Sequence, residues 1–246
     1  MLSEEATPRC DTAIRACRRL FAPGMSNLAS MTDTQPSDPR VALIDYAESA
    51  IVEDDALVAA RARGIELGAI PVSPSVGALL AVLARAVDAH AVAEIGTGTG
   101  VSGLWLLAGM ATDGVLTTID PELEHHQAAR ASFAGADIAP GRTRLINGTP
   151  RDVLPRLSDS SYDLVFIDGP RLDMPRFVTE SVRMLRPGGM LVIHDAAAQG
   201  AVADPARTDP MTAAAREAAM LVADDDRLLP VVIPLGPGVL AAAKSR

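Results

Sequence analysis

Aromatic residues are scarce in this chain of 246 residues: one Trp, two Tyr and four Phe make up 3% of it. Its core must then be built mainly from Ala, Val and Leu, for which a hydrophobic content of 48% is ample. Lysine occurs once, at Lys244, and every other cation is arginine. A lysine acting as a proton acceptor elsewhere in the fold is thereby excluded. The two cysteines, Cys10 and Cys17, lie near the N-terminus, which rules out a disulfide framework and fits a reducing cytoplasm. No run approaches the roughly 18 consecutive apolar residues of a membrane span. There is no cluster of Lys and Arg, and a net charge of −9 disfavours nucleic acid as a partner. The N-terminus carries early acids and no long apolar run, unlike a signal peptide.

The length suits one α/β domain with a tail. Residues 1–39 read as a poorly ordered extension: Ile14, Cys17 and Phe21 sit at helical spacing, Pro23-Gly24 ends that pattern, and MTDTQPSDP is polar and turn-forming. Met25 and Met31 are alternative starts. Folded sequence is expected over residues 40–246, beginning with a helix from Arg40 to about Arg63. The pattern then alternates. Helix 75–87, strand 91–95, helix 101–110, strand 115–120, helix 121–133, strand 143–146, helix 150–157, strand 162–168, helix 175–185 and strand 190–194 follow. Continuous apolar runs such as LVFI and MLVI are those of strands buried on both faces, as in parallel sheets. A long loop, 196–210, precedes a helix to Ala223. The end, RLLPVVIPLGPGVLAAAK, reads as a hairpin turning at Gly236-Pro237-Gly238. Five βα units and an antiparallel hairpin predict a doubly wound sheet with ligands at the carboxyl ends of its strands.

The richest segment is AVAEIGTGTGVS, Ala91–Ser102. An apolar strand runs into Gly96, Gly98 and Gly100 and then opens a helix, whose first N–H groups lack partners. Glycines there let main chain approach a nucleotide-like ligand. A dinucleotide fingerprint requires glycine three residues after Gly98, where Val101 stands, so a nicotinamide dehydrogenase is disfavoured. Asp120, at the end of the next strand, is placed to accept hydrogen bonds from a ribose or to cap a helix before Pro121. Glu94, in an otherwise apolar strand, needs a compensating partner.

With EIGTGTGVS, LTTIDPE, YDLVFIDG, MLRPGGMLVIHD and VVIPLGPGVLAAAK in order, the chain from about Val41 to Lys244 resembles the cation-dependent small-molecule O-methyltransferases, the catechol and caffeoyl-CoA type. The resemblance implies a Rossmann-like class I methyltransferase fold: a seven-stranded, mostly parallel sheet with an antiparallel last strand and helices on both faces. It implies S-adenosylmethionine as cofactor, a small-molecule hydroxyl as acceptor, and a homodimer. Cofactor contacts carry over to Val72, Glu94 (beside the methionine amino group), Gly96, Thr97, Gly98, Ser102, Asp120 (ribose), Pro121, Thr149 and Pro150 (adenine), and Asp168. A divalent cation, Mg²⁺ or Mn²⁺, would be held by Asp168, His194 and Asp195.

The chain departs from that family where chemistry is done. The pair after the fifth strand is His194-Asp195 instead of Asp-Asn, and a nitrogen ligand shifts preference away from pure Mg²⁺. Arg171 stands where the family has a lysine; a guanidinium stabilises an oxyanion but does not accept a proton. Met174 and Ala198 replace expected aromatics, so the acceptor pocket has lost its clamp for a flat ring. Three readings follow: a metal-assisted O-methyltransferase using Asp168, His194, Asp195 and Arg171; a metal-independent methyltransferase with His194 as base, acting on oxygen or nitrogen; and a cofactor-binding regulatory protein without turnover. His125 and His126 read as surface residues.

Overall fold

The computed structural model describes residues 38–246, so the expectations for the N-terminal extension, including its short helix around Ile14, lie outside the described residues. Contacts divide the chain after Asp54. The described part of the first unit is helix α1 (Pro39–Ser49), capped by Asp38 accepting from the Arg40 N–H at 3.0 Å; it buries none of its residues. The second unit, 55–246, opens with α2 (Asp55–Glu66). The single helix expected from Arg40 to Arg63 is therefore two. The β-branched pair Ile51-Val52 favours extended backbone, and the acids from Glu53 to Asp55 favour a new helix N-terminus over a helix interior.

The remaining elements follow the expected alternation. They are α3 (Pro74–Ala86), β1 (Ala91–Ile95), α4 (Val101–Gly109), β2 (Val115–Asp120), α5 (Leu123–Gly135), β3 (Thr143–Asn147), α6 (Pro150–Val153), β4 (Tyr162–Ile167), α7 (Met174–Met184), β5 (Leu185–His194), α8 (Pro210–Ala223), β6 (Leu228–Ile233) and β7 (Val239–Lys244). Several boundaries differ from expectation, most by one residue, and the helix expected over 150–157 is the short α6 followed by a 3-10 turn, Leu154–Arg156. Pro121 precedes α5 instead of opening it, because Asp120 and Glu122 form a turn of their own. Strand β5 starts at Leu185, taking in Arg186-Pro187-Gly188-Gly189, with an irregular register opposite Tyr162 and Leu164. The loop after β5 contains a short 3-10 segment, Ala198–Ala203.

Seven strands form one sheet in the order β3-β2-β1-β4-β5-β7-β6. Pairings from β3 to β5 are parallel, and β7 runs antiparallel to both β5 and β6. Strand order reverses between β1 and β4, which leaves a crevice at their carboxyl ends. The strand period of two then sorts the side chains. Ala93 and Ile95, Val165 and Ile167, and Leu191 and Ile193 share one core with Phe177, Val178 and Val182 of α7 and with Ala218 and Val222 of α8. Intervening positions face the other side, where Leu116 abuts Gly103 of α4. There, close helix packing replaces aromatic bulk. A Cβ on Gly77 would lie 2.3 Å from the Trp105 ring, and one on Gly109 would lie 2.1 Å from the Ala81 carbonyl oxygen. No helix among the described residues is long and apolar enough to cross a membrane.

Candidate active site

The second face of the sheet carries the polar residues. Glu94 and Thr118 are register partners on β1 and β2, and Asp120 lies two residues further on the same face. Phe166 and His194 lie on the same side of β4 and β5, their rings 6.5 Å apart. Past the strand ends the chain closes a cleft of about 410 Å³, lined among others by Val72, Gly96, Thr97, Gly98, Ser102, Asp120, Asp168, Arg171, His194 and Asp195. The structure thus brings together most of the residues expected from the sequence. Glu94 lies fully buried beside this lining, while Pro121, Thr149 and Pro150 are not part of it.

The turn after β1 is held by main chain. The Gly96 N–H donates to the Ile119 carbonyl at 2.9 Å, and the Asp168 N–H donates to the Ile95 carbonyl at 2.8 Å. Gly96 has φ +97°, and a Cβ on it would lie 2.4 Å from the Asp168 carbonyl oxygen, so any other residue would push β1 from β4. Gly98 is glycine for a different reason: with φ +49° its missing Cβ would point into open space. From outside, the Thr99 hydroxyl donates to the Ala60 carbonyl at 2.8 Å and the Ser132 hydroxyl to the Thr99 carbonyl at 2.7 Å, tying the turn to α2 and α5.

Glu94 is the most perturbed group. Thr118 Oγ1 donates to its Oε2 at 2.6 Å, and Thr97 Oγ1 lies 2.6 Å from Thr118 Oγ1, a relay of hydroxyls ending on the carboxyl. Its Oε1 is buried without a hydrogen-bond partner. Burial pushes the carboxyl from 4.5 up to about 8; the Ser102 and Thr118 hydroxyls pull it down, and the negative charges of Asp168 and Asp120 raise it further. A cation delivered to Oε1 would restore the ionised form. Asp120, by contrast, is organised by N–H donors: Gly98 to Oδ2 at 2.9 Å and Glu122 to Oδ1 at 2.9 Å.

The far end of the cleft holds two pairs. His194 Nδ1 lies 2.7 Å from Asp168 Oδ1, which fixes the ring with its Nδ1–H on the carboxylate, and Nε2 has no hydrogen-bond partner. Arg171 Nη2 donates to Asp195 Oδ2, while its Nη1 faces the Met211 sulfur at 3.9 Å. Asp195 has φ +55°, and Ala198 and Gln199 are also left-handed, at +47° and +56°. This strained segment is pinned to the closing hairpin by Ala196 N–H to the Gly238 carbonyl at 3.0 Å. Among the described residues, no group of three or more His, Cys, Asp and Glu side chains is arranged to hold a metal ion.

Among the lining residues not expected from the sequence are His125, Gln199 and Pro237. His125 reads as a surface residue, yet its Nδ1 lies 3.4 Å from Asp120 Oδ2 and its side chain is only 20% exposed. A usable signal was its place in the first turn of the helix after β2, which in any βα unit faces the carboxyl end of the sheet.

Comparison with known proteins agrees with this geometry. The sequence profile of a family described as O-methyltransferase matches residues 44–245. A Mycolicibacterium vanbaalenii protein named as an O-methyltransferase is 58% identical over 203 residues, spanning 82% of this chain and 90% of its own. A solved Corynebacterium glutamicum structure shares 34% identity with a TM-score of 0.80, covering 85% of this chain and 98% of that one. The O-methyltransferase TomG of Streptomyces achromogenes, solved in complex with S-adenosylmethionine, shares 30% identity with a TM-score of 0.76, covering 83% and 96%.

Proposed function

The chain belongs to the O-methyltransferase family, as an S-adenosylmethionine-dependent enzyme, and from that premise we propose that it methylates a small-molecule hydroxyl with His194 as the base and without a divalent cation. When bound, the cofactor supplies an electrophilic methyl group on a sulfonium. The residues present fit it. Gly98 leaves room for a ligand against the main chain, Asp120 offers carboxylate oxygens to the ribose, and the orphaned Oε1 of Glu94 suits the methionine ammonium. Val72, Gly96, Thr97 and Ser102 complete the wall.

One observation carries the mechanistic half: Asp168 holds Nδ1 of His194 and leaves Nε2 buried without a hydrogen-bond partner, for an acceptor hydroxyl to reach. The acceptor hydroxyl hands its proton to Nε2, Asp168 stabilises the imidazolium that results, and the oxygen is left nucleophilic. Arg171, kept charged and positioned by Asp195, supports the developing oxyanion. Much of the rate comes from holding that oxygen in line with the methyl group.

The cation that the family resemblance implies does not fit this donor set. The Arg171 guanidinium already holds Asp195 Oδ2 and the His194 imidazole already holds Asp168 Oδ1, so a divalent ion would have to share both carboxylates with resident donors, one of them a permanent cation, with Asp195 Oδ1 left unpartnered. No step is derived through it. The acceptor is a small molecule not gripped between aromatic rings, since among the described residues no Phe, Tyr or Trp lines the cleft. A cytoplasmic homodimer completes the proposal; α1 exposes Val41, Leu43, Ile44 and Tyr46, apolar surface that a second copy would cover, and sedimentation would test it. The enzymatic reading is tested by His194→Gln assayed for cofactor turnover against a panel of hydroxyl acceptors, with and without EDTA. Activity lost in the variant and untouched by chelator supports it; activity abolished by chelator contradicts it.

A further inference from the structure

His125 has no part in the reading above, yet it faces the same cleft as the residues that do. It lies in the first turn of α5, after Glu122, and its Nδ1 approaches Asp120 Oδ2 at 3.4 Å. The carboxylate of Asp120 has about four acceptor positions on its two oxygens. Main-chain N–H groups of Gly98 and Glu122 take one on each oxygen. Two positions remain, the number that two ribose hydroxyls would need, and the imidazole stands beside the one on Oδ2. An imidazole nitrogen can sit stably against a carboxylate oxygen only as a donor, and the attraction grows when the ring is charged.

We propose that His125, when protonated, competes with the cofactor's ribose for Asp120 Oδ2. This rests on the reading of Asp120 as the ribose carboxylate. In the empty cleft the protonated ring pairs with Asp120. A ribose hydroxyl donating to Oδ2 must displace it, so binding is coupled to loss of the His125 proton. With the neutral ring the contact is weak and the ribose meets little competition.

Other ionisable groups line this cleft, Asp168, Arg171, His194 and Asp195 at its far end; Glu94 is buried behind the lining, and Glu122, Glu124 and His126 neighbour His125 in the chain. All are retained in a His125 variant, so the difference between variant and wild type isolates the imidazole. The experiment is calorimetric titration of S-adenosylhomocysteine into the full chain at about pH 5.5, 6.5 and 7.5. It compares wild type, His125→Asn and Asp120→Asn, in two buffers of different ionisation heat. Wild type should lose roughly three- to fivefold more affinity than His125→Asn between the highest and lowest pH, the scale of a partly exposed ion pair. It should also release more protons on binding near pH 6.5. Superimposable pH profiles would overturn the proposal. So would a His125→Asn protein that is folded but binds more weakly than wild type at the lowest pH, because removing a competitor cannot do that. If Asp120→Asn binds as tightly as wild type at pH 7.5, the assignment of Asp120 to the ribose is what has failed.

Discussion

Replacing Glu94 with Gln should make the empty protein more stable and the cofactor site worse. The fully buried carboxyl is pushed from 4.5 to about 8, chiefly by burial. Between those values the unfolded chain has lost a proton that the folded chain keeps. Rising pH therefore favours unfolding across that window, and the penalty is constant above it. A displacement of about 3.5 pH units, at about 1.4 kcal/mol each, amounts to about 5 kcal/mol by pH 8. Gln keeps an oxygen for the Thr118 hydroxyl and does not ionise, so it escapes the penalty. Urea unfolding of the ligand-free proteins should give similar stabilities near pH 4.5 and a variant ahead by several kcal/mol near pH 8. The same variant has no charge for the methionine ammonium. S-adenosylhomocysteine should bind it on the order of 100-fold more weakly, the usual scale for losing one partner of a desolvated charge pair. A variant no more stable than wild type at pH 8, or one binding the ligand equally well, would refute the reasoning.

Further outcomes follow from the same geometry. His194→Gln should lower turnover by roughly 10²- to 10⁴-fold, the range of a lost general base, with S-adenosylhomocysteine affinity unchanged by calorimetry. Arg171→Met should cost roughly 10²-fold in kcat, as loss of an oxyanion donor does, and added Mg²⁺ or Mn²⁺ should not rescue it. The two glycines of the turn should separate: Gly96→Ala, with its Cβ 2.4 Å from the Asp168 carbonyl oxygen, should fail to fold or melt far below wild type. Gly98→Ala, free of any clash, should cost only about 1–2 kcal/mol for its left-handed backbone while still weakening ligand binding.

Much of the fold was readable because its signals are local. Ala91–Ile95 and Val115–Asp120 are strands at the expected boundaries, and Gly236-Pro237-Gly238 lies in the turn between the last two. What stayed illegible depends on pairing across the sheet. Nothing in the spacing of Arg171 and Asp195 says that they meet, yet that ion pair sets the charge at the far end of the cleft. The Asp168–His194 contact likewise depends on β4 lying beside β5 in one particular register. His125 was read as surface because a histidine on an amphipathic helix usually is; only the orientation of the first turn of α5 aims it at Asp120. The split between α1 and α2 went unread because no Gly or Pro marks it; only the weaker signal of Ile51-Val52 followed by acids does.

The most direct test of the account is calorimetric titration of S-adenosylhomocysteine into EDTA-treated protein, repeated with Mn²⁺ present. The account predicts one binding event per chain, with the same affinity in both conditions and no separate heat from the metal. Absence of binding in either condition, or binding that appears only when the metal is added, would contradict it.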